Sequence, residues 1–437
     1  VRIGRLALQQ GTVDFQRQFH GGSEERVKLT HLEIRGENIG NKLAGKLNIT
    51  TGVQYALHRA GEEVADKLEG TLSLECDQEL DLKWFPKSVT ARAKVLVNET
   101  SGQFGFANGL QADLESQITP TELKKFQLKF QHEENPIGNL LLSGPMDLRN
   151  GSADLQVAVE AIEEHVLNFA GRPYGLDFHK TMLSSTNRLM IDRYGEQIEL
   201  QGAISATPVQ MSLGLVPFPS VDALETQYDF TVDLTGKQVV IAALSLNATH
   251  KGKRFLAGEI NRPMTIPWGG EIIKAPDAEF QLEVANTDAA DWQPWLGRYA
   301  QSGAVAAKVK ISVKENGREI RFGSSGSITS LQLPLDGKVI EIGDFHLNAK
   351  GQVTNFRKLE FTQFTADAGR PGKNYFKYEG EPVVDLATQI VSGSKSKLEG
   401  DLAVLLGWFP QKDVSCQSGR ATYNGAFTVG LTQSRKQ

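Results

Sequence analysis

Two histidine–carboxylate clusters are the first places in this 437-residue chain to look for chemistry. His132 precedes Glu133-Glu134, and His165 follows Glu163-Glu164. Imidazole and carboxylate groups are metal ligands and general acids and bases. Neither cluster offers metal-ligand spacing with a third partner, so neither predicts a bound ion. Carboxylates are plentiful enough for a glycosidase pair, yet nothing singles out two of them. The chain has no HExxH, no GxSxG elbow, no Walker loop and no GxGxxG opening a helix. Gly323-Ser324-Ser325-Gly326-Ser327 has phosphate-cradle composition, but Ile328, Leu331 and Leu333 follow it with strand spacing. A hairpin or loop is the expectation there. Cys76 and Cys416 lie far apart and share no CxxC motif, which excludes a disulfide framework. One long-range bridge stays open, and two free buried thiols are the expectation. Asn48, Asn98, Asn150 and Asn247 open Asn-x-Ser/Thr sequons, which matter only in a glycosylating compartment. The reading is a non-enzyme with no metal and no cofactor.

The elements that would position any site come from a different signal, alternation of apolar and polar residues. It is clearest in Leu72/Leu74, Val95/Val97, Leu155/Val157/Val159, Phe230/Val232/Leu234, Phe280/Leu282/Val284 and Val309/Ile311/Val313. A strand points successive side chains to opposite faces, so each stretch predicts one oily and one wet side. Repeated along the chain, this predicts a mainly β fold. It would be a long curved antiparallel sheet with an apolar groove and a few short capping helices. The sixteen residues just named are its expected lining.

Glycines punctuate the pattern. Gly11 and Thr51-Gly52 are read as turns between strands of six to eight residues, and Gly36 as the end of another. Ile198/Leu200/Gly202/Ile204 and Val209/Met211/Leu213/Leu215 are read as further strands. Residues 161–170, with Ile162, Val166 and Phe169 on one side, predict a short helix ending before Gly171. Asp288 leads a second helix carrying Trp292, Trp295 and Leu296. A strand, short aromatic-bearing helix, strand unit is read at 68–97, 278–313 and 398–430, and in part at 153–170. Its tryptophans are expected to plug sheet ends as core. The turn-rich stretch 261–276 divides the chain into β-groove segments 1–262 and 263–437. Lys67-Leu68-Glu69-Gly70 recurs as Lys397-Leu398-Glu399-Gly400, and Trp84-Phe85-Pro86 as Trp408-Phe409-Pro410. The second segment is therefore read as partly a repeat of the first.

Composition narrows the function classes. The formal net charge is −5 with both signs scattered, so there is no basic stripe and no nucleic-acid partner is expected. Mean hydropathy is −0.29, and no apolar run nears the roughly 20 residues of a membrane-spanning helix. The longest, Val239–Leu246, reads as one buried strand. The chain opens on Val1-Arg2-Ile3-Gly4, already strand-like, and is read as a segment of a longer protein.

Three stretches resemble a known family. Val1-Arg2-Ile3-Gly4-Arg5-Leu6-Ala7-Leu8-Gln9-Gln10-Gly11-Thr12-Val13-Asp14-Phe15 resembles the strand–turn–strand repeat of AsmA-like proteins, which include the TamB and YhdP relatives of the bacterial envelope. Ala285-Asn286-Thr287-Asp288, running through Trp295-Leu296 to Gly303-Ala304-Val305, is similar to their strand–short helix–strand unit. Ile342-Gly343-Asp344-Phe345-His346-Leu347-Asn348-Ala349-Lys350-Gly351 is similar to their late strands. The resemblance implies a curved sheet with an apolar floor, phospholipid as ligand, and inner and outer membrane components as partners. It also implies a periplasmic location, tethered to the inner membrane by a segment outside this chain. The N-terminal membrane helix of the family is not in this sequence.

Physics gives the same reading a reason. Burying a methylene is worth about 0.8 kcal/mol, so exposing a 16-carbon chain to water costs on the order of 13 kcal/mol. A sheet face lined by every second residue covers such a chain without any specific side chain. The alternative is a non-catalytic structural or interaction module of stacked β-sandwich repeats, where the same residues face a second sheet in a dry core. A membrane β-barrel is disfavoured by the short strands and internal helices.

Overall fold

Alternation in this chain builds long strands. The computed structural model describes residues 2–19, 22–61, 65–83, 85–268, 277–296, 300–314, 319–335, 338–354, 357–408 and 415–430. The strands are β1 (Arg2–Gln18), β2 (Glu24–Gly40), β3 (Ala44–His58), β4 (Asp66–Leu80), β5 (Pro86–Ser101), β6 (Leu110–Thr119), β7 (Glu122–His132), β8 (Asn135–Asp147), β9 (Ser152–Ile162), β10 (Leu176–Phe178), β11 (Leu183–Asp192), β12 (Gln197–Ala206), β13 (Met211–Leu213) and β14 (Val216–Pro217). Then follow β15 (Ala223–Asp233), β16 (Gln238–His250), β17 (Lys253–Arg262), β18 (Met264–Pro267), β19 (Ala278–Asp288), β20 (Ser302–Lys314), β21 (Glu319–Leu335), β22 (Lys338–Thr354), β23 (Lys358–Arg370), β24 (Lys373–Asp385), β25 (Ile390–Asp401) and β26 (Arg420–Gly430). The α-helices are α1 (Glu164–Gly171), α2 (Gln293–Leu296) and α3 (Leu402–Trp408). The mainly β, antiparallel fold with few short helices is as the sequence predicts.

The chain forms two compact units, Val1–Leu215 with Asp233–Thr235, and Val216–Val232 with Gly236–Gln437. In the first, β1 to β9, then β11 and β12, pair in order as one antiparallel meander. In the second, β16, β17, β19 and then β20 to β26 pair likewise. The turn-rich stretch 261–276 lies within the second unit, and its residues 269–276 are outside the described residues. Lys67–Gly70 opens β4, whereas Lys397–Gly400 closes β25 just before α3. Trp84, Phe409 and Pro410 are outside the described residues.

None of the expected glycine turns forms, and Gly11 lies at a bulge. β1 runs unbroken through Gly11, with Gln10 at φ 55° and register shifts on both sides of Gly11. Thr51-Gly52 and Gly36 also lie inside strands. A bulge inserts one residue and flips the parity of all that follow. The sequence flips parity at the same places. Leu6 and Leu8 give way to Val13 and Phe15, Val27 and Leu29 to Leu32 and Ile34, and Ile328 to Leu331. Between them sit Gln10, His31 and Ser330, all with positive φ. The bulge therefore keeps the apolar residues on one face along a 17-residue strand. Ala161 in β9 and Asn286 in β19 do the same for their strands.

The helix at 161–170 forms slightly later, as α1, with Ile162 still in β9. The Asp288-led helix is present. The Asp288 carboxylate accepts from the backbone N–H of Ala290 at 2.8 Å and of Gly303 at 3.1 Å, tying both ends of the insert together. Two other expectations fail. Residues 81–83 between β4 and β5 make a turn, and the helical turn of that region is instead Gly102–Ala107, after β5. The strand read across 209–215 shrinks to β13, and Leu215 is fully exposed.

Candidate functional site

Cross-strand register turns the alternation of single strands into continuous rows. In the first unit one row runs Leu8, Ile34, Ile49, Leu74, Ala93, Leu114, Leu128, Leu140, Val159, Ser185, Ile204. It crosses eleven strands with one polar member. At about 4.8 Å per strand it is roughly 48 Å long. The neighbouring row includes Leu47, Cys76, Ala91, Phe126, Leu142 and Val157. Leu72 stands opposite Val95, and Leu155 opposite Leu189.

The second unit repeats the scheme. Phe280 faces Ile311, Leu282 faces Val309, and Val313 faces Ala278. Val284 lies between Leu256 of β17 and Ala307 of β20, two residues ahead of the Asn286 bulge. It is half-buried, so this expected lining residue is neither sealed in a core nor fully open. The Ile311 row continues to Phe322, and the Val313 row through Ile320, Val353, Leu359, Val384 and Val391 to Val429. Phe322, Phe361, Phe364 and Tyr378 form a chain of edge-on rings with centroids 5.2–5.6 Å apart. Such ring pairs add stability beyond their buried area. Phe230 and Val232 lie on β15, while Leu234 sits in the turn beyond it and is half exposed.

Opposite faces of the strands differ sharply. On β20, Val309 and Ile311 are half-buried while Lys308 and Lys310 are exposed. The polar face carries cross-strand ion pairs: Lys308–Glu283 at 3.2 Å, Lys310–Glu279 at 2.8 Å, Lys125–Glu115 at 2.6 Å and Arg188–Asp154 at 2.6 Å. Hydrogen bonds from their basic partners hold the Glu115, Asp154 and Glu279 carboxyls below the usual carboxylate range. Pairs this exposed add little stability, because water screens them. Their consequence is a wet face.

One end of each apolar face is covered by helical segments. In the first unit, Val97, Ala107, Leu110 and Ile137 are buried beneath Phe106, Val166 and Phe169. In the second, Ala289, Ala300, Leu331, Ile342, Ala368 and Trp408 are buried, with Val404 and Leu405 of α3 packed on them. Trp408 thus plugs a sheet end as expected of a core aromatic, whereas Trp295 of α2 is exposed.

Away from these plugs the described residues of the apolar faces are mostly half-buried. Of the sixteen expected lining residues only Val97 and Leu155 are buried; Val95 and Leu234 are exposed and the rest, Val284 among them, are half-buried. No large side chain among the described residues is completely sealed from solvent. The accessible surface is 26396 Å². Two globular domains of half this mass would together expose about 20,000 Å². The excess, about a third, is what single-layer sheets leave open.

The other groups singled out in the sequence lie apart from these rows or within strands. Cys76 and Cys416 are both free, but half-buried where buried thiols are expected. Burial and then the Asp77 charge push the Cys76 thiol up, away from the reactive thiolate. Gly323–Ser327 lies inside β21 as strand, so the expected hairpin or loop is not there. The pairing of His132 with His165, which sequence reasoning missed, is different. Their rings stack with centroids 4.0 Å apart. No local spacing signals this, because the two come from β7 and α1 and meet only through the β7–β8–β9 meander.

Compared with known proteins, the chain matches no family model, no curated protein and no solved structure.

Proposed function

We propose that each unit shelters phospholipid acyl chains on its uncovered apolar face, in the manner of an AsmA-like segment carrying lipid between membranes. The observation that carries this reading is the eleven-strand row from Leu8 to Ile204, apolar but for Ser185 and left without a second layer. Continuity matters because a lipid must move without a polar gap. Each methylene exposed during transit costs about 0.8 kcal/mol. The ion-paired opposite face keeps such a sheet soluble. The missing catalytic motifs fit as well, since a lining needs only apolarity. On this reading the chain works in the periplasm, with components of the inner and outer membranes as partners and without catalysis.

The sandwich alternative requires a second sheet pressed on the same residues. One meander per unit, with half-buried rows, supports the groove instead. The test is lipid extraction and intermembrane transfer by the purified chain, wild type against Val157→Asp and Ile311→Asp. Transfer lost from a folded protein supports the proposal; transfer untouched by both changes refutes it.

A further inference from the structure

We propose that Glu163, Glu164 and His165, at the start of α1, bind a divalent transition-metal ion of the zinc type, with His132 as the adjoining imidazole. The ligand atoms of the first three lie within 4.8 Å of one another. Donors about 2.0–2.2 Å from one tetrahedral zinc ion sit roughly 3.5 Å from each other, so the side chains must close by about an ångström at most.

Two independent features point to an ion. The Nδ1 of His165 is shut off from solvent and has no hydrogen-bond partner. Buried polar atoms are normally satisfied, and this ring nitrogen, on a histidine grouped with two carboxylates, is a donor atom left without a partner. On the other side of the stack, His132 Nε2 lies 3.0 Å from the Asn108 carbonyl oxygen. A carbonyl oxygen only accepts, so Nε2 donates, and Nδ1 is the nitrogen left for a ligand. Metal-binding histidines are commonly oriented through their other nitrogen in this way.

The donor set is two carboxylates with imidazole, which favours zinc or cobalt over the all-oxygen preference of calcium and magnesium. Position gives the ion a consequence. His132 ends β7 and His165 belongs to α1, whose Val166 and Phe169 cover the sheet end. An ion held here fastens the plug to the sheet. This inference does not depend on the lipid reading.

The experiment is titration of the metal-stripped full chain with zinc by calorimetry, and with cobalt by visible absorption. One tight site with nitrogen- and oxygen-type cobalt bands is expected. His165→Gln and Glu164→Gln should each weaken zinc binding about tenfold or more, while Glu134→Gln leaves it unchanged. Glu164→Gln alters a half-buried side chain of α1's first turn and serves should His165→Gln misfold. No binding at 100-fold zinc excess, or equal affinity in Glu164→Gln and wild type, overturns the proposal.

Discussion

Phe280 on β19 stands directly opposite Ile311 on β20, and both remain half-buried. Facing apolar residues in a dry core would be sealed; these are paired along the sheet but open above it. An open floor and a sealed core answer the same substitution differently.

An aspartate at Ile311 should leave the fold nearly intact. A charge placed in a dry core costs several kcal/mol, whereas here its carboxylate reaches water. The expected loss is no more than about 1 kcal/mol in urea unfolding, in the range of surface changes. A loss above about 3 kcal/mol would mean that the face is covered.

Plug and floor should respond differently to truncation. Trp408→Ala removes a buried side chain packed with Tyr375, and about 3 kcal/mol is the expected cost. Val309→Ala, on the open floor, should cost less than about 1 kcal/mol. Hydrogen exchange of β24 and of β20 reads the two sites separately. Equal costs would contradict the division into covered and uncovered zones.

Cys76 reports on occupancy of the floor, because it lies in the row joining Leu47 to Ala91. Its raised pKa predicts slow alkylation at pH 7, accelerating as pH rises above the ordinary thiol value. In a Cys416→Ser background, added phospholipid should slow alkylation at fixed pH several-fold. Unchanged rates at saturating lipid would place the acyl chains elsewhere.

Acid should loosen the plug of the second unit. Burial raises the Asp291 pKa, but the hydrogen bond and charge of Lys251, with His250, outweigh it and hold the carboxyl below its usual value. A group with a depressed folded pKa contributes stability above its unfolded pKa of about 3.8, lost as pH falls through the lower folded value. Exchange protection of Ala289–Trp292 should therefore hold at pH 5 and fall below pH 4. Asp291→Asn should remove that pH dependence; an unchanged profile in the variant would assign it to another group.

How much of the fold is readable in the chain depends on range. Strand type comes from local alternation, so Leu155/Val157/Val159 and Val309/Ile311/Val313 lie on strands as read. Rows depend on register between distant segments, so no inspection of Leu8 foretells Ile204 ten strands away. Gly11 reads as a turn because glycine marks both turns and bulges; the parity flip from Leu8 to Val13 is the discriminating signal. The same flip separates Val284 from Thr287 in β19, where Asn286 carries the bulge. The turn at Gly102–Ala107 has no apolar period of its own and is held by contacts of Phe106 with Phe169, a ring 63 positions later in sequence at 5.0 Å. His132 and His165, taken singly, carry no signal of each other and meet only in three dimensions.

The most direct measurement of the central claim is native mass spectrometry of the full chain purified without detergent. Adducts of phospholipid mass, diminished in Val157→Asp and Ile311→Asp proteins that still fold, are the predicted result. A bare polypeptide mass in the wild type, after incubation with phospholipid vesicles, would contradict it.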